Sequence, residues 1–264
     1  MMKKIITALA PIDTPWPAMR ISTQLAANHS AEIHLVFLTL PGEDVDYSYP
    51  YPNDLPIAED FSDGRLISES NQELIKDKLS LFKQECESAG INLSFERNIS
   101  VEKLIKESAN ADILVADEAA DFLSKILTHL HCPAFIAADD HLPEKVVLMF
   151  NDSDSSKFAI EKYSDLLPEF KDLPTFLLSI NPKDENANQS YVQKNFGTTF
   201  SDISIKSLTG KVEKQMQHFL SDLPGHILVV MGAFGRSQIS RFFHESLADT
   251  VMRNKKVSLF IAHQ

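Results

Sequence analysis

Two cysteines, Cys86 and Cys132, are the only thiols in the 264 residues. They lie far apart and exclude a disulfide framework, which fits a reducing compartment. No apolar run approaches the roughly 20 residues that cross a bilayer as a helix. Basic residues are scarce as well: 25 Lys and Arg stand against 37 Asp and Glu, a formal net charge of −12. Nucleic acids and anionic membranes both require clustered Lys and Arg, so neither is expected as a partner. A small anion is not excluded, because backbone N–H groups hold one locally. The Gly-x-Ser-x-Gly elbow of hydrolases and the Gly-x-x-x-x-Gly-Lys-Ser/Thr phosphate loop are both missing. No Ser/His/Asp set is readable from spacing, and no catalytic residue is assigned.

Hydrophobic residues make up 44% of the chain, enough for a core and too much for general disorder. The opening residues, Met1-Met2-Lys3-Lys4-Ile5-Ile6-Thr7-Ala8-Leu9-Ala10, imitate a signal peptide. Pro11 and Asp13 interrupt the apolar stretch, and β-branched Ile5, Ile6 and Thr7 suit a strand. We read it as the first core strand and expect a cytoplasmic protein.

The chain repeats itself. Residues 3–9 (Lys-Lys-Ile-Ile-Thr-Ala-Leu) match residues 144–150 (Glu-Lys-Val-Val-Leu-Met-Phe). Amphipathic stretches follow at 16–28 and 155–167, then apolar runs at 32–40 and 174–180. Further on, residues 111–116 (Ala-Asp-Ile-Leu-Val-Ala) match 226–231 (His-Ile-Leu-Val-Val-Met), and 131–137 match 255–261. Fully apolar strands alternating with helices imply parallel sheets covered on both faces. The expected fold class is therefore α/β, two doubly wound parallel sheets of about five strands each. The boundaries place one domain at 1–138 and another at 144–264. Asp139-Asp140-His141-Leu142-Pro143 is the linker.

One stretch is shaped like an anion cradle. The apolar run Ile227 to Met231 leads into Gly232-Ala233-Phe234-Gly235-Arg236-Ser237 and then a helix-like segment. Backbone approaches a phosphate closely where no Cβ intrudes, and the next helix offers free N–H groups and its positive end. An ordinary tight turn between strand and helix accounts for the same two glycines.

This tandem alternation of strand and helix resembles a universal stress protein duplicated in one chain, over essentially its whole length. The family's opening signature is an apolar strand ending in Asp, then Gly-Ser-Glu, a spacer, Ser and later Ala. Here Ser153, Ser156 and Ala159 fall on those positions, with Asn151 on the Asp and Asp152 on the Gly. The closing signature is Gly, two residues, Gly, nine residues, then Gly followed by Ser or Thr. Gly232 and Gly235 match its first glycines and Ser246 its hydroxyl, while Glu245 stands where the third glycine belongs.

The resemblance implies an adenine nucleotide alpha hydrolase-like sheet and a loop around ATP phosphates in the second half. It assigns Gly232, Gly235, Arg236 and Ser246 to the phosphates, and Asn151, Ser153 and Met231 to the base and ribose side. Weak ATP binding, with magnesium accompanying it, is the implied cofactor. A glutamate a few ångströms from a triphosphate costs on the order of 1 kcal/mol or more in repulsion, so Glu245 opposes binding. Arg236 and Arg241 offset part of it. In the first half, the matching loop, Ala116-Asp117-Glu118-Ala119-Ala120-Asp121-Phe122, has no glycine and three acids, and Ala10-Pro11 stands at the strand end. We expect no nucleotide there. In the family, last strands pair across a dimer. The expectation here is an intrachain pseudo-dimer through 133–138 and 256–263, with further homo-oligomers open.

Other features read more plainly. Asp152, Ser153 and Asp154 fit either a helix cap or contacts to ribose or magnesium. His129-Leu130-His131-Cys132 is read as a helix end, and no metal ligand set is assigned. Cys86 and Cys132 are read as core thiols. The long connection 41–64, rich in Asp, Tyr and Pro, is either a solvated loop or a partner-binding segment. The leading function is a cytoplasmic stress-response module with weak nucleotide binding. Two alternatives stand beside it: a nucleotide-independent scaffold that meets an unidentified protein partner, and a slow ATPase or hydrolase.

Overall fold

The computed structural model describes residues 2–9, 16–38, 69–117, 123–232 and 257–262. The first part of the chain runs β1 (Lys4–Leu9), α1 (Pro17–His29), β2 (Glu32–Leu38), α2 (Glu69–Ser88), β3 (Leu93–Ile99), α3 (Val101–Ser108), β4 (Ile113–Asp117), α4 (Leu123–Ile126) and β5 (Ala134–Ala137). The second runs β6 (Lys145–Met149), α5 (Asp154–Leu166), β7 (Thr175–Ile180), α6 (Glu185–Phe196), β8 (Ile203–Leu208), α7 (Val212–Asp222), β9 (Ile227–Gly232) and β10 (Val257–Ala262), matching the first element for element from β6 through β9. The helix starts have local causes. Ser100 and Ser153 cap α3 and α5, accepting from the N–H groups of Lys103 and Ser156, and Pro17 opens α1.

All ten strands form one sheet, in the order β3-β2-β1-β4-β5-β10-β9-β6-β7-β8. Within each set of five the pairings are parallel, as the doubly wound expectation requires. The two five-stranded sheets meet through β5 and β10, which run antiparallel in the register Leu259↔Ile136, Phe260↔Phe135 and Ile261↔Ala134. The pseudo-dimer expected of the last strands is thus the seam of a continuous sheet. The Ala138 N–H donates to Ser258 Oγ at 3.2 Å just beyond the pairing.

Strand side chains alternate between two cores. Ile5 and Leu9 join one, Ile6 and Ala8 the other; in β10, Phe260 and Ala262 face the first, and Val257, Leu259 and Ile261 the second. Residues of α1, α2, α5 and α6 cover the first face, and residues of α3, α4 and α7 the second. Every residue of β9 and β10 is buried, which explains their unbroken apolar sequence. Cys86 and Cys132 are buried in these cores, one on each face. Burial pushes their thiols up, to about 11 and about 12, so neither is a thiolate at neutral pH.

Phe260 is fully buried at the seam, and its ring meets Tyr163 of α5 edge-on at 5.8 Å. Truncation there removes core volume next to the pairing between the two sets of strands. Phe260→Ala is expected to cost about 3–5 kcal/mol in urea unfolding. A loss below about 1 kcal/mol would show that the seam contributes little.

Candidate functional site

In a parallel sheet all strand C-termini reach one edge, and a crevice opens where the strand order reverses. That reversal falls between β6 and β9 in the second set of strands and between β1 and β4 in the first. β6 and β9 pair in the register Leu148↔Val230, so the residues following β6 lie beside the end of β9.

The turn after β6 is built by its own side chains. Asn151 Oδ1 accepts the Ser153 N–H at 3.2 Å and the Ser153 hydroxyl at 2.6 Å. Ser153 Oγ in turn accepts the Ser156 N–H at 3.2 Å and caps α5. Between them Asp152 holds φ 62, the left-handed region that favours glycine. This is the position where the family resemblance expects Gly, and Asp is among the side chains that tolerate it. The Asp152 carboxylate pairs with Lys157 Nζ at 2.7 Å, and that bond holds the ammonium above its usual range. Lys157 also lies 5.1 Å from the ring centre of Tyr191, which stacks on Phe150. Lys157 is a cation at this edge that the sequence reading passed over; its position one turn into the capped helix was the available signal.

Of the residues assigned to a nucleotide, the structure brings Asn151, Ser153, Met231 and Gly232 to this edge. Met231 is buried, with its side chain in the core cluster that also holds Met149. Gly235, Arg236 and Ser246, with Glu245 and Arg241, lie outside the described residues, as do Ala10, Pro11, Glu118, Asp121 and the connection 41–64.

Gly232 has a packing reason to be glycine. A Cβ there would lie 2.5 Å from the Ser155 carbonyl oxygen and 2.6 Å from its carbonyl carbon. The first turn of α5 rests directly on the end of β9. The repeat places Asp117 at the position of Gly232, and the first part of the chain fills it differently. The Asp117 carboxylate, 4% exposed, accepts the Ala18 N–H at 2.7 Å. Trp16, the residue before α1, supplies no side-chain cap, and α1 has no acid in its own first turn. The strand end therefore provides the negative group that the helix N-terminus favours. The contacts correspond residue for residue, since Ala18 and Ser155 are each the second residue of their helix. One helix N-terminus is met by the carboxylate of the strand end; the other is capped by the Ser153 hydroxyl, carries Asp154 in its first turn, and packs on Gly232.

No protein-family model matches the chain, and no curated protein matches its sequence. Solved structures do match it. A universal stress protein from Archaeoglobus fulgidus DSM 4304 superposes with a TM-score of 0.65 at 15% identity, over 98% of this chain and 96% of the other. A candidate universal stress protein from Pseudomonas aeruginosa UCBPP-PA14 gives 0.59 at 12% identity, over 99% and 93%. A protein of unknown function from Pseudomonas aeruginosa PAO1 gives 0.59 at 11%, over 99% and 92%.

The chain has the fold of a universal stress protein. At these identities the likeness is one of fold, and it covers the whole chain. Among the described residues no helix is long and apolar enough to cross a membrane.

Metal-capable groups occur where the sequence reading found none. Asp139, His141 and His226 converge, as do His34, Glu96 and Glu107. His129 and His131 are exposed and belong to neither group. Asp139 and His141, two apart in the linker, are joined by the distant His226, and His34 is brought to Glu96 and Glu107 by the pairing of β2 with β3.

The two strand ends make separate demands. Gly232→Ala forces the added methyl against the Ser155 backbone and is expected to cost about 1–3 kcal/mol. Asp117→Ala strips a buried N–H of its charged partner and is expected to cost about 1.5–3 kcal/mol, most of it recovered in Asp117→Asn. Urea unfolding checks both, and losses below about 0.5 kcal/mol would contradict this account of the two positions.

Proposed function

We propose that the chain is a binding module of the universal stress type, with an adenine-nucleotide site in its second domain (144–264) and none in its first (1–138). The observation that carries the reading is the exchange of Asp117 for Gly232 at matching strand ends. A phosphate approaching α1 meets a buried carboxylate already hydrogen-bonded to the helix N-terminus. Like charges at that distance exclude it. At the second strand end no carboxylate stands where Asp117 does; Ser155 packs against Gly232, and Lys157, paired with Asp152, lies at the same edge. In this reading Gly232, Gly235, Arg236 and Ser246 hold the phosphates of ATP, with magnesium accompanying them. Asn151, Ser153 and Met231 line the base and ribose side. Glu245 keeps the affinity low. The role is a cytoplasmic stress response.

A nucleotide-independent scaffold is the second reading, and one observation favours it. The Asn151 oxygen and the Ser153 hydroxyl are consumed in the turn and cap, and packing alone explains Gly232. These residues are thus accounted for without a ligand.

Calorimetric titration of the full chain with ATP and magnesium separates the two. Weak saturable binding near one ATP per chain is expected, tightened about three- to tenfold in Glu245→Gly by removal of the repulsion. A flat titration up to millimolar ATP in both proteins would remove the nucleotide site and leave the scaffold.

A further inference from the structure

We propose that His34, Glu96 and Glu107 form a binding site for a divalent transition-metal ion of the zinc type, in the half-buried space between the sheet and α3. The site is independent of the nucleotide reading. The sheet register creates it. β2 pairs with β3 as His34↔Ser94 and Val36↔Glu96, so His34 and Glu96 lie on one face of adjacent strands. α3 packs on that face through Leu104 and carries Lys103 and Glu107 to the same place. One donor atom from each of His34, Glu96 and Glu107 lies within 4.8 Å of the others.

Each of the three groups is held through its other polar atom. Ser94 Oγ donates to the Ile33 carbonyl at 3.4 Å and so accepts the His34 Nδ1–H at 2.8 Å. That bond fixes the tautomer and leaves Nε2 with a free lone pair. Lys103 Nζ bonds to Glu96 Oε1 and lies 3.7 Å from Glu107 Oε1. The remaining atoms face one another: His34 Nε2 is 3.5 Å from Glu107 Oε2 and 3.9 Å from Glu96 Oε2. Glu107 Oε2 is buried and has no hydrogen-bond partner among the described residues. Burial is the largest influence on His34 and holds its pKa below the usual range, against the pull of Glu107 and Glu96. At neutral pH three lone-pair donors therefore meet with no proton between them. A bound cation resolves the conflict. Lys103 balances one carboxylate charge, and the other is left for the ion. Ser94 and Lys103 then stand as the outer partners that orient a ligating imidazole and ligating carboxylates. Around a zinc ion with bonds of about 2.0–2.2 Å, neighbouring donors sit about 3.3–3.5 Å apart. Glu107 is already at that distance, and Glu96, the more exposed carboxylate, closes by a small swing of its side chain.

The matching place in the second set of strands is apolar. His34 pairs with Ile6, and Phe176 with Val147, the residue that the repeat matches to Ile6. Phe176 lies opposite Ser204 as His34 lies opposite Ser94. Its ring meets Phe219 of α7, the counterpart of α3, edge-on at 5.7 Å. Helix and sheet pack there through two rings. In the first set an imidazole and two carboxylates fill the interval, at a cost in desolvation that packing does not require. An imidazole in the donor set selects a zinc-type ion over calcium or magnesium, which take all-oxygen shells. The His34, Glu96 and Glu107 side chains are 14%, 36% and 27% exposed, so an ion can enter from solvent and keep water as a further ligand.

The test is titration of the untagged, chelator-stripped full chain with Zn2+, and with Co2+ as a spectroscopic probe. Saturable binding is expected, with a Co2+ visible band that Zn2+ displaces, and Zn2+ should raise the melting temperature. Glu107→Gln, which keeps the side-chain shape, and His34→Phe, which installs the side chain found at the matching place in the second half, should each weaken binding at least about tenfold. A protein carrying His141→Ala and His226→Gln should bind as the parent does. The proposal is overturned by absence of saturable binding. It is also overturned if Glu107→Gln binds with the parent's affinity, or if the His141/His226 variant is the one that loses the ion. Circular dichroism checks the fold of each variant, and Glu107→Gln decides alone if His34→Phe alters it.

Discussion

The antiparallel pairing of β5 and β10 is the contact on which the rest of the molecule depends. Each strand is apolar on both faces and would otherwise be a sheet edge with unpaired N–H and C=O groups. Joined as Leu259↔Ile136, Phe260↔Phe135 and Ile261↔Ala134, they become interior strands of a ten-stranded sheet. The pairing fixes the geometry on both sides. With the central strands paired, β4 and β9 lie one strand further out and β1 and β6 beyond them. Both order reversals are thereby set symmetrically about the seam. Duplication with antiparallel closure gives one chain two equivalent crevices.

Equivalent positions need not stay chemically equivalent. The second residue of α1 and the second residue of α5 each meet the last residue of a neighbouring strand. On one side that residue is an aspartate whose carboxylate answers the helix N-terminus. On the other it is a glycine whose missing side chain lets the helix backbone descend. Both arrangements satisfy packing and the orphan N–H groups of the helix start. Only the second leaves the strand end free of charge.

Much of this was legible in the sequence because local patterns carried it. The repeated apolar runs located eight of the ten strands, missing the partly exposed β3 and β8, and Ser153 takes the cap that was one of its two readings. The resemblance placed Asp152 on a glycine position, and its positive φ gives the physical reason. What could not be read depended on long-range register. Gly232 looked like room for a phosphate, whereas the Ser155 backbone occupies the space. Asp117 looked like one acid in an acidic loop, whereas it is the buried counter-group of α1. Asp139 and His141 stand two apart in the linker, but nothing in the sequence ties them to His226. They meet only because β6 and β9 start side by side.

Native-state hydrogen exchange tests the central claim, the single sheet, most directly. If the β5–β10 seam unites the chain, the amides of both strands exchange only through the highest-energy opening, with one common denaturant dependence. The same dependence should describe β4 and β9 on either side. Exchange of β5 at a markedly lower free energy than β10, or separate denaturant dependences for the two sets of strands, would contradict it. The chain would then be two independent sheets in contact.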